Sequence, residues 1–204
     1  MARKRYFDDV WLHPSLRLPA RGVPCALSEC GAACCVGGIW LDVGHVQRIL
    51  DHADAVAAHM DDDRGNPDVW FTDEVLEHRD FPSGFGTATS VGDRPGQPGR
   101  PGCVFVRADH KCALQVASDA LGLPWPGLKP FECATFPVLL SEGSLRWDRQ
   151  SAARAHGADC QQPGPRSPPL PGQPPFYRVF RREIELAIGK AGWHTLQGGD
   201  RSEP

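Results

Sequence analysis

Apolar and polar positions along the chain mark a few short regular elements, separated by long stretches with no period at all. Ile39, Trp40 and Leu41 form a compact apolar run that reads as a strand. Asp42 follows as an N-cap, and the next stretch, VGHVQRILDHADAVAAHM, places Val43, Val46, Leu50, Ala53, Ala57 and Met60 on one stripe of a long helix. CVFV, Cys103 to Val106, predicts a second strand, RADHK a polar turn, and CALQVASDALG a short helix closed by Gly122. FPVLL and LRW, joined by SEGS, predict a hairpin. From Pro175 onward, Tyr177, Phe180, Ile184 and Ile188 share one face of an amphipathic helix over 176–196, followed by a tail over 197–204. These elements predict a small, irregular α+β fold with short antiparallel strands, a long helix after the first cysteines and a C-terminal helix.

Composition explains why so little of the chain is periodic. Its 204 residues include 22 glycines and 20 prolines, about a fifth of the total where about 12% is usual. Residues 82–102 and 161–175 concentrate them, and both stretches lack an apolar period. The first reads as a surface loop and the second as a linker, with residues 1–24 as an N-terminal extension. A formal charge of -3, with basic groups only at Arg3, Lys4, Arg5 and at Arg178, Arg181, Arg182, argues against nucleic acid as a partner. No apolar run has signal-peptide or bilayer-spanning length. The expectation is a cytoplasmic protein without membrane contact, whose remaining partner class is another protein, as substrate or binding partner.

In that compartment thiols stay reduced, so the cysteines become the main chemical signal. There are eight: Cys25, Cys30, Cys34, Cys35, Cys103, Cys112, Cys133 and Cys160. Thiolates are soft anionic ligands that suit zinc, iron and iron–sulfur clusters, and CALSECGAACC, rich in Gly and Ala, lets a chain wrap an ion. Adjacent Cys34 and Cys35 diverge by about 180° in a strand and about 100° in a helix, which predicts that they do not share one small ion. His45, His52 and His59, each about 10 Å from the next along a helix, are too far apart to share one ion and are placed off the stripe, toward solvent. His110 and His156 read as surface histidines near cysteines, Asp42 as a helix cap, and Glu132 as a loop charge.

The order CALSECGAACC, GIWLDVGHVQRI, CVF…HKCAL, KPFECATFPV and Cys160 resembles the bacterial YkgJ-like cysteine-cluster proteins, described as zinc- or iron-chelating, over about residues 25–160. The doubled cysteine and the Lys129, Pro130, Cys133, Phe136, Pro137 signature carry the resemblance. The first cysteines are spaced more widely than in the short-spaced form, and Ala134 stands where a basic residue is usual. The resemblance implies that the cysteines bind metal. It also implies an iron–sulfur or iron centre ahead of zinc, since relatives are linked to flagellin lysine methylation. No C-x2-C knuckle, Gly-rich nucleotide loop, radical-type C-x3-C-x2-C or H-E-x-x-H pair accompanies the cysteines, so no particular reaction or catalytic residue is indicated. Alternatives left open are a zinc-stapled domain without catalysis, a simple interaction protein and, disfavoured by the lack of a signal, a disulfide-bonded exported chain.

Overall fold

The computed structural model describes residues 5–20, 32, 34–148 and 172–198. The chain divides into two compact units, Met1–Ala26 with Thr135–Pro204, and Leu27–Ala134. Helices and short strands occur in both, as the α+β expectation requires.

In the first unit, β1 (Arg5–Phe7) and β2 (Val10–Leu12) pair antiparallel around Asp8 and Asp9, at φ 43° and 64°. Asp tolerates this left-handed backbone better than most residues. Residues 5–12, expected as part of an extension, are therefore a β-hairpin. The predicted hairpin is β8 (Val138–Ser141) with β9 (Ser144–Trp147). Its two-residue turn, Glu142 at φ 51° and Gly143 at φ 67°, has the positive φ pair that matches strand twist. β2 joins β9 in parallel, giving the order β1-β2-β9-β8. Two helices complete the unit, α5 (Phe176–Val179) and α6 (Arg181–Gly198), the latter kinked at Gly189. The predicted face is buried at Tyr177, Phe180 and Ile184, which pack with Leu145, Trp147 and Trp193. Of the expected linker, 161–171 lies outside the described residues.

The second unit carries the cysteine pattern. A three-stranded sheet, β3 (Trp40–Asp42), β5 (Phe85–Ala88) and β4 (Leu76–Glu77), stands beside a ribbon of β6 (Val91–Arg94) and β7 (Gln97–Cys103). Residues 82–102, expected as a loop, thus hold three strands. Pro98 and Pro101 are compatible with β7 because a two-stranded ribbon leaves half of its backbone N–H groups unused. The predicted strand 103–106 is overturned in turn: β7 ends at Cys103, and Val104 and Phe105 form a buried turn.

Asp42 caps α1 (Val43–Leu50) through Gly44 N–H at 2.7 Å and also accepts from the Ser83 N–H and hydroxyl at 2.8 and 2.7 Å. The helix expected over 43–60 comes in two pieces, α1 and α2 (Ala53–Ala57). His52 sits between them with Nδ1 2.9 Å from the Arg48 carbonyl. The fully buried positions are Ile49 and Val56, not the predicted stripe, whose residues are half-buried around them. With α3 (Ala113–Ala120) they enclose Trp70, Phe105, Leu114 and Leu128. The Trp70 indole donates to the Arg64 carbonyl at 2.8 Å, which allows its burial. α4 (Phe131–Thr135) lies at the end of the unit, whose last residue is Ala134.

Candidate metal centre

Four separate segments deliver thiols to the second unit. Cys34 and Cys35 lie on irregular backbone before β3, after Ala32 at φ 51°. Cys103 ends β7, Cys112 is the N-cap residue of α3, and Cys133 sits in α4. Cys34 is exposed and the other four are half-buried. Cys25, Cys30 and Cys160 lie outside the described residues, as does His156.

Backbone bonds set this arrangement. Cys103 N–H donates to the Cys35 carbonyl at 2.9 Å, and Arg94 donates to the Ala32 carbonyl at 2.7 Å. Thr89, 2% exposed, bonds Ile39 twice, accepting Ile39 N–H at its hydroxyl and donating its own N–H to the Ile39 carbonyl. Gly38, at φ 67°, lies so close to Thr89 and Val91 that a Cβ there would meet three atoms at 2.9 Å. The reversal predicted between Cys103 and Cys112 is present, with Val106 bridging Cys112 and the Cys112 carbonyl opening α3.

The Cys34 and Cys35 sulfurs are 3.8 Å apart, which overturns the expected divergence. The rule of opposed neighbours assumes regular backbone, and this segment is neither strand nor helix. A tetrahedral zinc with bonds of about 2.3 Å has sulfur–sulfur edges of about 3.8 Å, so the pair is spaced as two ligands of one ion are. Among the described residues, no group of three His, Cys, Asp or Glu side chains is assembled to hold a metal ion.

The electrostatics tie the remaining thiols to that pair. The Cys35 thiol is held well above its ordinary pKa, first by its hydrogen bond with Cys34, then by burial and by the charges of Cys34, Cys133 and Cys112. Burial likewise raises Cys133 and Cys112, with Cys34 adding to both. Cys103 is pushed up to about 11 by burial, partly offset by Thr89, whose hydroxyl accepts from its Sγ at 3.4 Å. Lys129 pulls Cys112 and Cys133 downward. Its position four residues before Cys133 is visible in the sequence, and it supplies positive charge even though Ala134 replaces the basic neighbour. Thr89 and Arg94 leave no comparable sequence signal.

No family model, curated protein or solved structure matches the chain. The resemblance therefore rests only on the doubled cysteine and the Lys129, Pro130, Cys133, Phe136, Pro137 signature.

The auxiliary candidates separate from this group. His45 is half-buried and its Nε2 lies 2.9 Å from the Leu128 carbonyl, so it turns to the protein instead of solvent. His110 sits at φ 64° in the turn shaped by the Arg107–Asp109 ion pair. Glu132 is helical and half-buried in place of a loop charge. Burial raises its carboxyl, His78 opposes that, and Asp42 adds to it.

Proposed function

We propose that the second unit binds a thiophilic metal, with Cys34, Cys35, Cys112 and Cys133 as its central donors and Cys103 at their margin. The supporting observation is the gathering of thiols from separate segments into mutual electrostatic reach, with one pair at 3.8 Å. Burying several thiols together makes each hard to ionise, since every thiolate loses water and repels the next. A cation reverses both penalties, so the donor set fits a soft ion in kind. Cys30, which belongs to the same unit, completes the proposed ligand pool.

The cysteine pattern favours an iron–sulfur or iron centre over zinc. When bound, the former supplies one-electron chemistry and the latter a fixed cross-link. This chain's own contribution is to orient donors through Thr89, Arg94 and the Cys35–Cys103 backbone bond, and to place Lys129 beside two of them. Protein-modification or redox chemistry on another protein is the activity class that we attach to an iron centre; a zinc staple without catalysis is the second reading.

Anaerobic purification followed by quantification of iron, zinc and acid-labile sulfide tests the proposal. Stoichiometric iron with sulfide and broad visible absorption supports the cluster. Colourless protein with one or two zinc equivalents supports the staple, and protein without a stoichiometric transition ion overturns both.

A further inference from the structure

The two adjacent cysteines differ in access to solvent while their sulfurs nearly touch. Cys34 is exposed and Cys35 half-buried, at 3.8 Å from sulfur to sulfur. No other described cysteine is exposed: Cys103 is engaged with Thr89, and Cys112 and Cys133 are half-buried on helices. Among the described cysteines, a dissolved disulfide therefore meets Cys34 first and finds a second thiol directly behind it.

We propose that Cys34 and Cys35 are a reversible thiol–disulfide exchange pair, with Cys34 attacking a small disulfide of the glutathione type and Cys35 resolving the adduct. In the first step the Cys34 sulfur, having given up its proton, forms a bond to one sulfur of the small disulfide. The other sulfur leaves as a thiolate and takes up a proton. In the second step the Cys35 sulfur loses its proton and bonds to the Cys34 sulfur, and the second small thiol leaves and is protonated. The chain loses two hydrogens and two electrons, and one small disulfide becomes two thiols.

Geometry gives the product its character. Adjacent Cα atoms are about 3.8 Å apart across a trans peptide, whereas disulfides usually span about 4.4–6.8 Å. A bond between these neighbours is strained and readily reduced, which suits exchange and not permanent cross-linking. The inference goes beyond the metal reading and does not depend on it. Where an ion is held, the same oxidation removes two of its donors.

The test uses the full chain, reduced and as purified, with its metal content measured beforehand, incubated anaerobically with oxidised glutathione and sampled by intact mass. The expected result is rapid loss of two hydrogens without a lasting adduct. In a chain carrying Cys25→Ser and Cys30→Ser, adding Cys35→Ser should leave one glutathione retained on Cys34, and adding Cys34→Ser should slow the reaction by about tenfold or more. In the unsubstituted chain, alkylation of unreacted thiols and peptide fragmentation must place the bond at Cys34 and Cys35, a readout that no folding defect affects. A bond or adduct elsewhere, an unslowed Cys34→Ser chain, or a pair that resists exchange overturns the proposal. Absence of a stoichiometric ion in the purified protein sinks the metal reading alone; resistance that persists after any ion has been removed by chelation sinks the exchange alone.

Discussion

At the scale of single residues, the cysteine neighbourhood depends on side chains that are not themselves ligands. Lys129 lowers the cost of ionising Cys112 and Cys133. Lys129→Gln should therefore weaken the proposed metal binding by about 10-fold, within the range seen for supporting groups, as read by competition with a chromogenic chelator. Unchanged affinity would remove Lys129 from the account. Thr89 is buried and serves both Ile39 N–H and Cys103. Thr89→Val leaves that N–H without an acceptor and should cost about 1–3 kcal/mol in urea unfolding. The residue scale is also where reading the sequence went furthest and then failed instructively. Asp42 was legible as a cap because a short polar side chain before an apolar helical stripe has one main use. The direction of the Cys35 side chain was not, because it depends on backbone torsions near Ala32 that no periodicity encodes.

Among elements, hydrophobic period predicted those whose burial is one-sided. The β8–β9 hairpin, α3 and the C-terminal helix all have a clear apolar face and a turn or cap signal. The β6–β7 ribbon was hidden because its strands, VGDR and QPGRPGC, are mostly exposed and have no apolar alternation to detect. Its strands are held by pairing and by the anchoring of Arg94, which bonds Pro101 and Ala32 carbonyls. The break between α1 and α2 was hidden for a related reason: VGHVQRILDHADAVAAHM keeps a helical period across the interruption at Asp51 and His52. One prediction belongs to the junction of β3 and α1. Burial draws the Asp42 carboxyl upward, yet bonds from Ser83 and Gly44 outweigh it and hold the pKa below its ordinary value. A carboxylate depressed in the folded state contributes stability above its unfolded pKa of about 3.9, and that contribution fades as pH falls through the lower folded value. Asp42→Ala should cost about 1–2 kcal/mol near neutrality, and the gap in urea midpoint between the two proteins should narrow toward pH 2. A gap independent of pH would assign the cost to packing instead.

For the whole molecule, the fold class was readable and the partition was not. Cys25 and Cys160 suggested one cysteine domain from end to end, whereas the compact unit with the five described thiols runs from Leu27 to Ala134. Contacts between distant segments decide such a boundary, and a local pattern carries little of that information. If this unit holds an ion only when folded, the ion must add to its stability. Under reducing, anaerobic conditions, free metal at about 100 times its Kd should stabilise the protein by about 2.7 kcal/mol and raise the thermal midpoint. A midpoint that ignores metal would count against coupled binding.

Gly38 turns these relationships into a constraint on heredity. With left-handed torsions and three atoms crowding the missing Cβ, it tolerates no methyl group without displacing Thr89 or Val91. Alanine at that position leaves every sulfur intact, yet it pries the segment bearing the doubled cysteine away from its mooring. If the proposed ion is bound, descendants of this chain should lose it as readily through this one hydrogen-sized position as through loss of a thiol.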